Sequence, residues 1–117
     1  MILCIVDDLL FSTKISTAGK ALGVEVAFER NADRVLDRVR TERPEMVIFD
    51  LNSSRLRPLD AIAAIKADAA LKTTRTLGFV SHVDSQTIAA ARVAGADDVL
   101  ARSAFSQHLG EILTGAK

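Results

Sequence analysis

The chain is expected to fold as an α/β protein: a five-stranded parallel sheet, doubly wound, between two layers of helices. Two observations predict this. Five short apolar or alternating runs recur along the 117 residues, each followed by apolar residues at helical spacing. Strict strand–helix alternation with short links implies right-handed crossovers and helices on both faces of the sheet.

Residues 2–6, 46–49 and 77–80 are nearly continuous hydrophobes, as strands covered on both faces should be. Residues 24–28 alternate instead, with Val24, Val26 and Phe28 set against Glu25 and Ala27, which suits a strand nearer an edge. Residues 99–101 supply the fifth strand. The first helix carries the stripe Phe11, Ile15, Ala18 and Leu22, and Gly23 stops it. Asn31 starts the second, which shows Ala32, Val35, Leu36 and Val39 and halts before Pro44. Pro58 is a good first-turn residue for the third, which runs through Leu59, Ile62 and Ile65 to Ala69. The fourth covers residues 85–94, with Ile88, Ala91 and Arg92, and ends at Gly95. The last covers 106–114 and carries Leu109, Ile112 and Leu113 around a destabilising Gly110.

Composition bounds the function. Fifteen Lys and Arg balance fifteen Asp and Glu, which argues against a nucleic-acid partner held mainly by phosphate electrostatics. The only cysteine, Cys4, lies in an apolar run and is expected to be a buried, inert thiol with no disulfide. No signal peptide or membrane-length apolar stretch is visible, so a soluble, cytoplasmic protein is expected. At this length one domain, residues 1–117, is expected to use the whole chain.

In open parallel sheets, ligands bind outside the carboxyl ends of the strands. Asp7 and Asp8 follow the first strand here, Asp50 and Asn52 the third, Ser81 and His82 the fourth, and Arg102 and Ser103 the fifth. Converging carboxylates raise each other's pKa values unless a cation offsets them, and oxygen-only ligands suit Mg²⁺. A metal, a carboxylate nucleophile, a hydroxyl and a fixed cation are together the parts for handling a phosphoryl group. Any one of these residues alone is more often a helix cap or loop residue. Jointly they favour a site.

These residues resemble the receiver domain of two-component response regulators, over essentially the whole chain. The resemblance rests on Ile5-Val6-Asp7-Asp8, on Val47-Ile48-Phe49-Asp50, on Ser81, and on Ala94-Gly95-Ala96-Asp97-Asp98. It implies the flavodoxin-like three-layer sandwich, with strand order 2-1-3-4-5. It also implies Asp50 as phosphoacceptor and an acidic Mg²⁺ site of Asp7, Asp8, Asp50 and the Asn52 backbone carbonyl. Ser81 would be the hydroxyl that follows the phosphoryl group.

The chain departs from the family pattern in several places. Arg102-Ser103 stands where the family has Lys-Pro, and Arg is not a free substitute for a point-charge ammonium. The family's Lys-Pro bond is usually cis, and Ser103 removes the residue that makes cis cheap. Val99 replaces the aromatic switch residue of the fifth strand. His82 replaces a small gating residue, either as a steric plug or as a solvent-facing loop histidine. Ser54 replaces a loop proline, and Arg55 and Arg57 make the loop at 52–57 basic. The family's usual interface, built from the fourth helix, fifth strand and fifth helix, carries Arg92, Asp97 and Asp98 here.

The leading expectation is a stand-alone receiver that takes a phosphoryl group onto Asp50 from a histidine kinase or phosphotransfer protein. It would signal through a downstream protein partner, with no direct nucleic-acid or membrane contact, and would not be an enzyme with a free substrate. The alternative is a degenerate receiver, an interaction module that works without phosphorylation. A small hydrolase or ligand-binding domain is weaker, because no Gly-rich phosphate loop appears.

Overall fold

The computed structural model describes residues 1–81 and 84–115. Five strands, β1 (Ile2–Ile5), β2 (Val26–Phe28), β3 (Met46–Asp50), β4 (Arg75–Val80) and β5 (Asp98–Ala101), form one sheet of order β2-β1-β3-β4-β5. All four pairings are parallel. The expected architecture and strand order are therefore observed. The alternating strand β2 lies at an edge of that order.

Among the described residues six α-helices flank the sheet: α1 (Leu9–Leu22), α2 (Val35–Glu42), α3 (Pro58–Ala67), α4 (Ser85–Ala94), α5 (Arg102–Gln107) and α6 (Leu109–Leu113). Side chains alternate across each strand, and this alternation splits the core into two layers. Ile2, Cys4, Met46, Ile48, Leu77 and Phe79 pack with Phe11, Ile15, Phe105 and Ile112 from α1, α5 and α6. Leu3, Ile5, Val47, Phe49 and Val80 pack with Val35, Val39, Ile62, Ile65 and Ala91 from α2, α3 and α4. Each buried Val, Leu, Ile, Phe or Met among them contributes about 1.5–3 kcal/mol.

Several boundaries differ from the sequence expectation. The last helix starts at Arg102 instead of residue 106, directly after β5, and divides at His108 into two short helices. Gly110, which weakens helix, lies in the second piece. The third helix ends at Ala67, leaving Ala69 in the following turn, and β2 begins two residues late at Val26. Among the described residues no peptide bond is cis and no helix is long and apolar enough to cross a membrane.

Two glycines are fixed by contacts. A Cβ on Gly78 would lie 2.7 Å from Leu51 Cδ1, so β4 needs glycine to leave room for the residue after Asp50. Gly95 has φ +107°, and a Cβ there would meet the Lys66 stem at 2.9 Å. The Lys66 ammonium bonds the Lys72 and Thr74 carbonyls at 3.1 and 2.8 Å and Asp97 Oδ2 at 2.7 Å. Asp97 Oδ2 also accepts the Thr76 N–H at 2.8 Å, and Asp98 pairs with Arg75 at 2.8 Å. Both acids of the Gly-Ala-Asp-Asp stretch are thus engaged at the amino ends of β4 and β5, the end of the sheet opposite the strand-end acids. They tie α3 to β4 and β5.

Candidate functional site

Asp50 is the last residue of β3 and is only 4% exposed. By strand alternation it shares a face with Met46 and Ile48, above the layer that holds Phe11, Phe79 and Phe105. One carboxylate oxygen, Oδ1, accepts the Asn52 N–H at 3.0 Å. The other, Oδ2, faces Arg102 Nη2 at 3.9 Å. Burial raises the Asp50 pKa above the ordinary carboxylate value. The Asn52 N–H and the Arg102 charge pull it down, Asp7 and Asp8 push it up, and the net result is upward.

Asp8 is both things that an acid after a strand can be. Its Oδ1 caps α1 by accepting the Phe11 N–H at 3.2 Å, and its Oδ2 lies 3.5 Å from Arg102 Nη2. Asp7 points to a different cation. Arg55 Nε and Nη2 donate to Asp7 Oδ2 at 3.1 and 2.9 Å. Burial raises the Asp7 pKa, but the bonds from Arg55 and Ser53 outweigh it and the net shift is downward.

Arg102 opens α5, and its side chain is 30% exposed. The guanidinium carbon lies 4.5 Å from the Phe11 ring centre and 5.9 Å from that of Phe79. Phe79 and Phe105 stack at 4.6 Å, and Phe11 and Phe79 at 5.3 Å. Three of the five phenylalanines of the chain thus make a platform beneath the cation. Among the described residues the buried Arg102 Nε–H has no hydrogen-bond acceptor. A buried donor without a partner costs about 1–3 kcal/mol and is a place where an anion could bind.

The residue Asn52 adds a contact that the sequence did not suggest. Its side-chain oxygen accepts the Ser81 N–H at 2.5 Å, which links the ends of β3 and β4. The Ser81 side chain is exposed. The position of His82 lies outside the described residues.

The strand-end residues named from sequence therefore meet at one edge: Asp50, Asp8 and Arg102 around a single guanidinium, Asn52 against Ser81, and Asp7 beside them under Arg55. The aromatic platform and the Arg55–Asp7 pair were not anticipated. Phe11 and Phe79 were visible only as apolar positions in their own elements, and Arg55 only as a loop charge.

The donor set is made of oxygens, which fits a hard divalent cation. Mg²⁺ takes one or two carboxylates and keeps several waters, so it does not need a cage of three acids. Among the described residues no three His, Cys, Asp or Glu side chains converge as a metal cluster.

No family model matches the chain, and no curated protein matches it in sequence. Many solved structures match it in fold. A response regulator from Hahella chejuensis superposes with a TM-score of 0.86 at 17% identity, over 97% of this chain and 91% of that one. The phosphorylated cyanobacterial phytochrome response regulator RcpA gives 0.77 at 21% identity, over 98% and 89% of the two chains. The Mn²⁺-bound response regulator Rcp1 gives 0.73 at 17% identity, over 97% and 88%. Over nearly its whole length, the chain has the fold of response-regulator receiver domains.

Proposed function

We propose that this chain is a response-regulator receiver module that accepts a phosphoryl group on Asp50. The observation that carries the reading is the setting of that carboxylate. It is buried at a strand end, one oxygen is held by the Asn52 N–H, and the other is turned to Arg102. In the reaction, Asp50 Oδ2 attacks the phosphorus of a phosphohistidine or a small phosphodonor. The P–N or P–O bond breaks, the donor leaves with its electron pair, and an acyl phosphate remains.

The residues of the chain divide the work. The Asn52 N–H fixes the orientation of the Asp50 carboxylate. Arg102 supplies positive charge where the phosphoryl oxygens arrive, held there by the Phe11 ring. Asp7, Asp8, Asp50 and the Asn52 backbone carbonyl would hold Mg²⁺ between them, one or two of the carboxylates directly and the rest through the waters it keeps, and the ion would offset negative charge on the incoming group. The phosphorylated RcpA and Mn²⁺-bound Rcp1 structures support this reading by analogy of fold. Ser81, the residue after β4, would be the hydroxyl that follows the phosphoryl group.

The donor would be a histidine kinase or a phosphotransfer protein, and the output a protein partner in the cytoplasm. Direct nucleic-acid or membrane contact is not part of the reading. The chain would act on no free substrate, beyond gaining and losing its own phosphoryl group.

One observation favours a second reading. Arg55 and Arg102 between them already pair all three carboxylates, and Val99 offers no ring to rotate. A receiver-like interaction module that works without phosphorylation would look like this. Borohydride reduction separates the readings, because it converts an aspartyl phosphate to homoserine. Homoserine at position 50 after treatment with a phosphodonor supports the first reading, and unmodified Asp50 supports the second.

A further inference from the structure

Arg55 stands in a short 3₁₀ helix, Ser54–Leu56, on the loop after β3, and reaches out of that loop in two directions. Its Nε and Nη2 converge on one oxygen, Asp7 Oδ2, at 3.1 and 2.9 Å. Its Nη1 donates to the Arg30 carbonyl at 3.3 Å. One guanidinium thus joins the loops that follow β1, β2 and β3, all at the strand ends where the acids lie. Arg57 has the same charge on the same loop but pairs with Asp33, away from the acids.

Asp7 therefore already has a cation. A metal ion held through Asp7 would face a guanidinium bonded to the same carboxylate, and two cations at one carboxylate repel each other. The Arg55 side chain is 64% exposed, so it can swing into solvent at little cost, whereas Arg102 rests on its ring platform.

We propose that Arg55 is the resident counter-cation of Asp7 and sets the affinity of the site for divalent metal. A metal ion taking Asp7 displaces Arg55 from both Asp7 and the Arg30 carbonyl, which frees the loop after β3 from the loop after β2. The arrangement couples metal occupancy to the conformation of that loop. It rests on the metal-assisted reading above.

The test is titration of the full chain with Mn²⁺, followed by the electron paramagnetic resonance signal of the free ion. Arg55→Ala should bind Mn²⁺ roughly three- to tenfold more tightly than the parent chain, as expected for removing an exposed but directly competing charge. Arg55→Lys should fall between them, since an ammonium lacks the converging donors. Arg57→Ala removes the same charge from the same loop and should change affinity by less than about twofold. In amide spectra, Mg²⁺ should move the Asn31 signal in the parent chain, where the Arg30 carbonyl loses its donor, and not in Arg55→Ala.

Equal affinity in the parent and Arg55→Ala overturns the proposal, as does equal tightening by Arg57→Ala, which would show only diffuse charge. If neither chain binds Mn²⁺, the proposal falls together with the metal part of the receiver reading. If affinities are equal while Asp50 still takes a phosphoryl group, the role of Arg55 fails alone.

Discussion

The Arg102 guanidinium carbon lies 4.5 Å from the centre of the Phe11 ring, and the same group faces Asp8 at 3.5 Å and Asp50 at 3.9 Å. A flat guanidinium stacks on a ring in a way a point-charge ammonium does not. The platform and the cation therefore belong together, and the arginine at this position comes with the phenylalanine that seats it. Phe11 is a positioning residue in this account. Its N–H also donates to Asp8 Oδ1, so one residue contacts two of the charged groups.

The pair can be measured. Phe11→Leu should lower stability by about 1–2 kcal/mol through the smaller buried side chain. A double-mutant cycle with Arg102→Met, read by urea denaturation, should give a coupling of about 0.5–1 kcal/mol from the lost cation–ring contact. A coupling near zero would mean that the ring does not hold the cation.

Asp50 has its pKa raised mainly by burial. An acid with a higher pKa folded than unfolded binds its proton more tightly when folded. Its contribution therefore turns against the folded state as pH rises from the ordinary carboxylate value through the raised one, and remains unfavourable above. Asp50→Asn should raise the denaturation midpoint at neutral pH, with an advantage that shrinks on acidification as Asp50 becomes protonated. Asp7, with its lowered pKa, acts in the opposite sense, losing stability as pH falls, but it is present in both chains and cancels. An advantage that stayed constant at every pH would place the gain somewhere other than the charge.

Gly78→Ala should destabilise the fold by about 1–3 kcal/mol, because its Cβ would sit 2.7 Å from Leu51 Cδ1. Leu51→Ala in the same chain should recover part of the loss attributable to the clash. Thermal or urea denaturation of the two single variants and the double reads this directly. No recovery would show that the strand, and not the leucine, resists the methyl group.

Lys66 gathers the far end of the sheet, bonding two carbonyls and Asp97. Lys66→Met leaves those acceptors without their donor and should cost about 1–3 kcal/mol. The extent of Asp50 phosphorylation in the folded fraction should not change, since the network lies at the opposite end of the strands. A lost phosphoryl group in a folded Lys66→Met chain would show that the two ends are coupled.

Much of this was legible because it is local. Continuous runs such as Val47-Ile48-Phe49 announce strands buried on both faces, and their ends put Asp7, Asp8, Asp50, Ser81 and Arg102 at one edge. What stayed hidden depends on residues far apart in the chain. Asp7 meets Arg55 across 48 positions, and Asp8 meets Arg102 across 94. No periodicity reports such meetings. The early start of the last helix was missed because Leu109, Ile112 and Leu113 define its apolar stripe, while Arg102 and Ser103 look like loop. With that turn went Phe105, and with Phe105 the aromatic platform. The Gly-Ala-Asp-Asp stretch carries part of the family resemblance, and the contacts of Lys66 with Gly95 and Asp97, of Thr76 with Asp97 and of Arg75 with Asp98 give it a physical reason.

The central claim is that Asp50 is a competent phosphoacceptor despite the two arginines that pair its acidic edge. Intact-mass measurement of the chain with Mg²⁺ and a small phosphodonor tests it most directly. The account predicts the addition of one phosphoryl group, removed by hydroxylamine and absent in Asp50→Asn. An unchanged mass in the folded parent chain, under conditions that phosphorylate another receiver, would contradict it.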